Sequence, residues 1–230
     1  MRKLVIGLLV LLLLLGVADR VAVRVAQEQV AKKLRETGQL SEDPKVTIRG
    51  FPFLTQALAG RYDRIDVETK AFTRGGVVLS KLDVSLLGAR VPAGDALGGT
   101  VRSVPVEGLR ATAVVRYVDL AGKSGISGLR IVPVGEQLDI SARVTVAGQT
   151  VTATARSTVR LRGRTLVVSA RSVKVDGQSS PVLDRALAGR LDFTVPLGTL
   201  PYGLDLTAVR VDPSGVVLVA ASGPTVLTTR

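Results

Sequence analysis

Asp63, Asp66 and Glu68 stand close together in the chain, interleaved with Arg61 and Arg64. Paired carboxylates are the residue types that cleave glycosidic bonds, one protonated to donate and one ionised to attack or to activate water. Here Asp66 and Glu68 share a period of two with Arg64, while Ile65 and Val67 alternate with them. That spacing places the acids on the wet face of a strand, screened by arginine. A sugar-cleaving pair would also bring aromatic platforms, yet the chain has no Trp and its aromatic content is 3%. Gly122-Lys123-Ser124 resembles the tail of a phosphate-binding loop, but Tyr117 stands where that loop needs its first glycine. Gly125-Ile126-Ser127-Gly128-Leu129 lacks the last glycine of a nucleophile elbow. His and Cys are both absent, which removes imidazole bases, thiolate nucleophiles, the usual zinc sites and disulfides. No catalytic residue, no metal site and no cofactor is expected, and the chain does not read as an enzyme. The carboxylates alone keep an envelope hydrolase as an alternative.

The balance of 31 Lys and Arg against 19 Asp and Glu gives a net charge of +12. Such a chain suits anionic partners. Arg156, Arg160, Arg162 and Arg164 cluster around one hairpin and suit phosphates, as a headgroup site or a solvated face. Single-strand binders pair basic grooves with stacking aromatics, and none lie near this hairpin, so nucleic acid is not an expected partner.

The elements that must position these residues begin with an apolar segment. Arg2 and Lys3 precede the unbroken run Leu4 to Ala18, and Asp19 and Arg20 end it. A basic start followed by about 7–15 apolar residues is the layout of a secretory signal, and Gly16-Val17-Ala18 offers small residues to a peptidase. Fifteen residues rise only about 22 Å as a helix, short of the roughly 30 Å hydrocarbon core. Val21 to Val23 extend the span if the intervening charges snorkel. Residues 1–18 are therefore a signal peptide or a retained membrane anchor, and export to the periplasm or cell envelope is expected either way. From Asp19 to Thr37 the spacing predicts an amphipathic helix with Val21, Val25, Ala26, Val30 and Leu34 on one face.

After a short strand at Lys45–Arg49, Pro52 suits the start of a short helix and Gly60 its end. The chain then alternates as strand after strand: Leu82, Val84, Leu86; Leu109 through Tyr117; Leu138 through Val146; Val151, Ala153, Ala155. Arg162-Gly163 and Asp176-Gly177 mark hairpin turns, as does Asp212 to Gly215. A second helical piece is expected at 181–191, before Phe193, Val195 and Leu197. Clean alternation implies antiparallel sheet with one face covered. The expected fold is α+β: residues 19–230 form a single domain, with a long curved, mainly antiparallel sheet and a long N-terminal helix.

Valine, leucine and alanine must fill the interior, because aromatics are so few. A sheet with such a face and an amphipathic helix across it can enclose an acyl chain. Burying a methylene is worth about 0.8 kcal/mol, so a sixteen-carbon chain leaving water gains roughly 13 kcal/mol. A lipid leaving a bilayer is already dry, so the net transfer is close to neutral. A protein of this kind supplies a dry path through water rather than tight binding. Alternation alone is equally consistent with faces that pack on each other and fill the core.

The stretch Phe51-Pro52-Phe53-Leu54-Thr55-Gln56-Ala57-Leu58-Ala59-Gly60-Arg61-Tyr62 resembles the signature of the LmeA-like phospholipid-binding family of actinobacterial envelope proteins. Leu82-Asp83-Val84-Ser85-Leu86-Leu87-Gly88 and Leu200-Pro201-Tyr202-Gly203-Leu204 agree with it, and the resemblance runs from about Val21 to Leu227. It implies a phospholipid-binding protein outside the plasma membrane, similar in fold to the tubular lipid-binding proteins. The family's namesake supports maturation of mannosylated lipid-anchored glycans, which would make this chain a lipid carrier or accessory factor in lipoglycan biosynthesis. Phe51, Phe53, Leu54 and Leu58 are the candidates to line or gate an apolar pocket, or to plug the sheet as structure. Ile65, Leu82, Val84, Leu86, Leu109 and Val115 are further candidates. The expected partners are phospholipid, with anionic headgroups preferred through the basic charge, and the membrane surface. A structural scaffold with a filled core, docking an envelope enzyme, is the alternative of a different class.

Overall fold

The computed structural model describes residues 2–38, 40, 42–74, 77–98, 101–146, 148–179, 187 and 189–228. The elements in chain order are α1 (Arg2–Gly38), β1 (Lys45–Arg49), α2 (Phe53–Ala59), β2 (Arg61–Arg74), β3 (Val77–Arg90) and α3 (Ala93–Gly98). They continue with β4 (Ser103–Val106), β5 (Gly108–Val115), α4 (Tyr117–Lys123), β6 (Arg130–Val134), β7 (Gln137–Val146), β8 (Gln149–Arg162) and β9 (Thr165–Val175). Last come β10 (Gln178–Ser179), β11 (Phe193–Pro196), β12 (Asp205–Asp212), β13 (Gly215–Ser222) and β14 (Thr225–Thr228). The fold is α+β, and every strand pairing whose register is described is antiparallel.

The chain forms two compact units. The first holds Met1–Lys70, Asp83–Arg110 and Ser222–Arg230, the second Ala71–Leu82 and Ala111–Ala221. In the first unit the strand order is β1-β2-β3-β5, and β4 pairs with β14 apart from it. In the second, β12 follows β13, and a separate sheet runs β10-β9-β8-β7-β6 with β11 also on β9.

Helix α1 is continuous through Ala18 and Asp19, where a signal peptide and an amphipathic helix were expected to meet. Its apolar half is exposed on all sides, from Leu4 to Val17. By length and composition Arg2–Thr37 can cross a membrane, with a mean hydropathy of 2.5 over an 18-residue window. In the second half, the expected face is displaced. Val21, Val25 and Val30 are exposed, whereas Asp19 and Val23 are buried and Ala22, Ala26, Ala31 and Leu34 are half-buried. The phase is set by the Asp19 contact described below, which apolar spacing cannot reveal.

Two other expectations change. Tyr117 does not close a strand: β5 ends at Val115, and Tyr117 opens α4, with Asp119 in its first turn and Lys123 in its last. Those charges are favourably placed for the helix dipole. The expected helix at 181–191 falls largely outside the described residues; Leu187 and 189–191 are helical. The hairpin turns are where the glycines put them. Asp176 and Gly177 take φ of 47° and 85° between β9 and β10, as a two-residue hairpin turn with the twist of its strands requires.

The second unit has a filled core. Leu138, Ile140, Leu166, Val168, Leu191 and Val216 are all at most 1% exposed and belong to one cluster of buried side chains. Strand alternation supplies them: Leu138, Ile140 and Ala142 of β7 lie opposite Ser157, Ala155 and Ala153 of β8. Tyr117 adds a polar tie, its hydroxyl donating to the carbonyl oxygens of Asp212 at 2.5 Å and Gly215 at 3.2 Å.

Candidate functional site

In the first unit, the register of β1 on β2 sorts two faces. Lys45, Thr47 and Arg49 lie opposite Glu68, Asp66 and Arg64, while Val46 and Ile48 lie opposite Val67 and Ile65. On β3, Ser85 Oγ donates to Asp66 Oδ1 at 2.7 Å, which fixes Ser85 on the polar face. Side chains alternate along a strand, so Val84 and Leu86 share the apolar face with Ile65 and Val67. Helix α1 packs on β1, where Val46 and Ile48 are buried. Farther across the same face, Ile65, Val67, Val84 and Leu86 are only half-buried. An apolar sheet face left partly open in this way offers a surface to a hydrocarbon chain.

The polar face holds the carboxylate of Asp66. Asp66 is 8% exposed rather than wet, and its partners come from three strands. Arg49 Nε donates to Oδ2 at 2.9 Å, Arg64 Nε to Oδ1 at 2.6 Å, and Ser85 to Oδ1. Burial pushes its pKa up, but the Ser85, Arg64 and Arg49 hydrogen bonds outweigh that and hold it below its ordinary value of 3.8. An acid held ionised by two arginines is a structural tie and a poor proton donor. A carboxyl with a depressed folded pKa contributes stability that is fully present above 3.8 and lost as pH falls through the lower folded value. Asp66→Asn should therefore cost about 1–2 kcal/mol at neutral pH, after solvent screening of the exposed arginines. Denaturation midpoints of the two proteins should converge as pH drops below 3.8, which a pH series of urea melts would check.

The segment 50–62 is built as one tight unit. The Phe51–Pro52 peptide is cis, and Gly50 takes φ of 103°, where a side chain is strained. Gln56 clamps α2 to both neighbouring strands: its Nε2 donates to Arg49 O at 3.2 Å, and its Oε1 accepts the Asp63 N–H at 3.0 Å. Gly60 closes α2 in the left-handed conformation, its N–H donating to Ala57 O, and its own carbonyl accepts the Val91 N–H at 2.9 Å. From α1, the buried Asp19 accepts the Leu54 N–H at 2.8 Å and so caps α2 where Pro52 offers no side-chain acceptor. Phe53 is buried, with its ring 6.3 Å from that of Tyr62, whose hydroxyl pKa is raised by burial. Leu54 is half-buried. Phe51 and Leu58 instead face outward, 70% and 82% exposed.

The remaining candidates are scattered. Leu109, on β5 in the first unit, is 2% exposed. Leu82 is half-buried on the part of β3 assigned to the second unit. Val115 lies in the filled core of the second unit. That unit also carries an open groove of about 600 Å³ beside α4, lined by Tyr117, Val118, Ala121, Ile126, Leu129 and Ile131. Reading 109–117 as a single strand concealed it, since α4 forms one wall. In the arginine cluster, Arg156 pairs with Asp139, and Arg164 lies 3.9 Å from Asp205, with both side chains exposed.

No curated protein and no solved structure matches the chain. A family model described as LmeA-like phospholipid-binding matches residues 17–221, which include the whole 50–62 segment, the half-covered β2–β3 face and the second unit's core. The chain belongs to the LmeA-like phospholipid-binding family.

Proposed function

We propose that this protein is a non-catalytic phospholipid carrier of the cell envelope, working outside the plasma membrane. The observation that carries the reading is the partly open apolar face of Ile65, Val67, Val84 and Leu86, in a chain whose family binds phospholipid. Acyl chains lie along that face, with the buried Phe53 and Leu109 supporting the unit from within. The net charge of +12 favours anionic headgroups. Helix α1 directs export and, where it is retained, holds the first unit against the membrane. In that position the protein serves as a carrier or accessory factor in envelope lipoglycan maturation.

The test is uptake of fluorescent phospholipid from donor vesicles by the purified protein. The reading expects saturable uptake, with phosphatidylglycerol favoured over phosphatidylcholine. No uptake of either lipid contradicts it, and equal uptake of both removes the headgroup preference alone.

A further inference from the structure

Phe51 and Leu58 are the most exposed large apolar side chains of the described residues beyond α1's apolar half. Their position relative to α1 is fixed by contacts. Asp19 holds the Leu54 N–H, and the Arg20 guanidinium lies 5.1 Å from the centre of the Phe51 ring, a cation–π distance. Arg20 in turn donates to Asp19 at 2.5 Å. Residues 19 and 20 mark the end of the unbroken apolar run. A span from Leu4 to Val23 rises about 30 Å, so Asp19 and Arg20 lie within about one helical turn of its polar end. The start of α2 is therefore tied to α1 at the level where such a helix passes from hydrocarbon to headgroups.

We infer that the segment from Gly50 to Gly60 is a membrane-docking element, with Phe51 and Leu58 inserted at the headgroup–acyl boundary of a phospholipid bilayer beside the entry point of α1. The inference rests on α1 lying in the membrane. A bilayer fits better than an acidic protein surface, because the nearby cations are largely committed. Arg49 pairs with Asp66, Arg61 with Glu107 and Arg20 with Asp19, and Asp63 adds a further negative charge. What this end of the unit offers is apolar surface rimmed by long arginine side chains, the chemistry of an interfacial element. The element is also held rigid, by Gln56 to β1 and β2 and by Asp19 to α1. Docking there brings the first unit to the membrane at a second point besides α1.

The chain lacks Trp, so a single introduced Trp reports its own surroundings. The full chain carrying F51W, L58W or, as a reference within α1, L12W is reconstituted into phosphatidylcholine–phosphatidylglycerol vesicles. The phosphatidylcholine is brominated either near the carbonyl end or near the methyl end of its acyl chains. F51W and L58W should be quenched at least about twofold more by bromine near the carbonyl end, while L12W is quenched more by the deeper label. If L12W is quenched and neither F51W nor L58W is, the docking inference is overturned while α1 remains a membrane helix. If L12W is also unquenched, α1 is not in the membrane, and the inference falls with it. Phospholipid uptake by the carrier face is a separate assay, and neither quenching outcome decides it.

Discussion

Replacing Val84 by lysine is expected to lower phospholipid uptake at least about tenfold while the protein stays folded. Val84 is half-buried on the open stretch of the apolar face, so a lysine there can extend its ammonium to water in the lipid-free protein. A bound acyl chain would cover that route. Stripping water from the charge costs several kcal/mol, and each 1.4 kcal/mol is a factor of ten in affinity. Thr47→Lys is the control, because Thr47 lies opposite Asp66 on the polar face and gains the same charge away from the hydrocarbon. Uptake by T47K should stay close to that of the unaltered protein. Equal loss in both variants would mean that added charge, not the apolar face, governs uptake, and unchanged uptake in V84K would remove the face from the account.

Gly215→Ala should be among the most damaging single-methyl changes in the molecule. Gly215 opens β13 with φ of 154°, and a Cβ built there would lie 2.9 Å from the Val115 carbonyl carbon and closer still to its oxygen. The obstacle is backbone, so no rotamer change relieves it. The Val114 side chain, 3.1 Å away, blocks the adjacent space. Overpacking of this kind costs about 1–3 kcal/mol or more, with backbone strain added. A loss of about 3 kcal/mol in a chain of this size lowers Tm by roughly 6–12 °C. Gly125→Ala provides the comparison: its φ is 75°, but nothing lies within 4 Å of the added carbon, so strain acts there without collision. A G215A protein melting no lower than G125A would show that β13 can shift away from β5.

Much of this architecture is written in local pattern. The alternation through β7 and β8 identifies which residues meet in the second unit's core, because a buried face imposes a period of two. Glycine marks the turns, at Gly60, Gly177 and Gly215, for reasons of backbone conformation alone. What local pattern does not carry is partnership between distant residues. Asp66 shares its period with Glu68 and Arg64, yet its burial depends on Arg49 and Ser85 from the strands on either side. The covered stripe of α1 is set by Asp19 reaching Leu54, 35 residues along the chain. The resemblance identified the 51–62 segment without distinguishing its members. The structure separates Phe53, which anchors α2, from Phe51 and Leu58, which face outward. Helix α4 is hidden in the sequence because Val114, Val115 and Tyr117 continue a strand-like composition into a helix start marked only by Asp119.

On the proposed function, this chain itself holds phospholipid. The most direct measurement is organic extraction of the protein purified without detergent from its native envelope, followed by mass spectrometry of the extract. Phospholipid is expected at close to an equimolar ratio to protein, with anionic species enriched over their share of the source membrane, and at a ratio reduced at least about tenfold in V84K. An extract free of lipid, from a folded protein that also takes up none from vesicles, would contradict it.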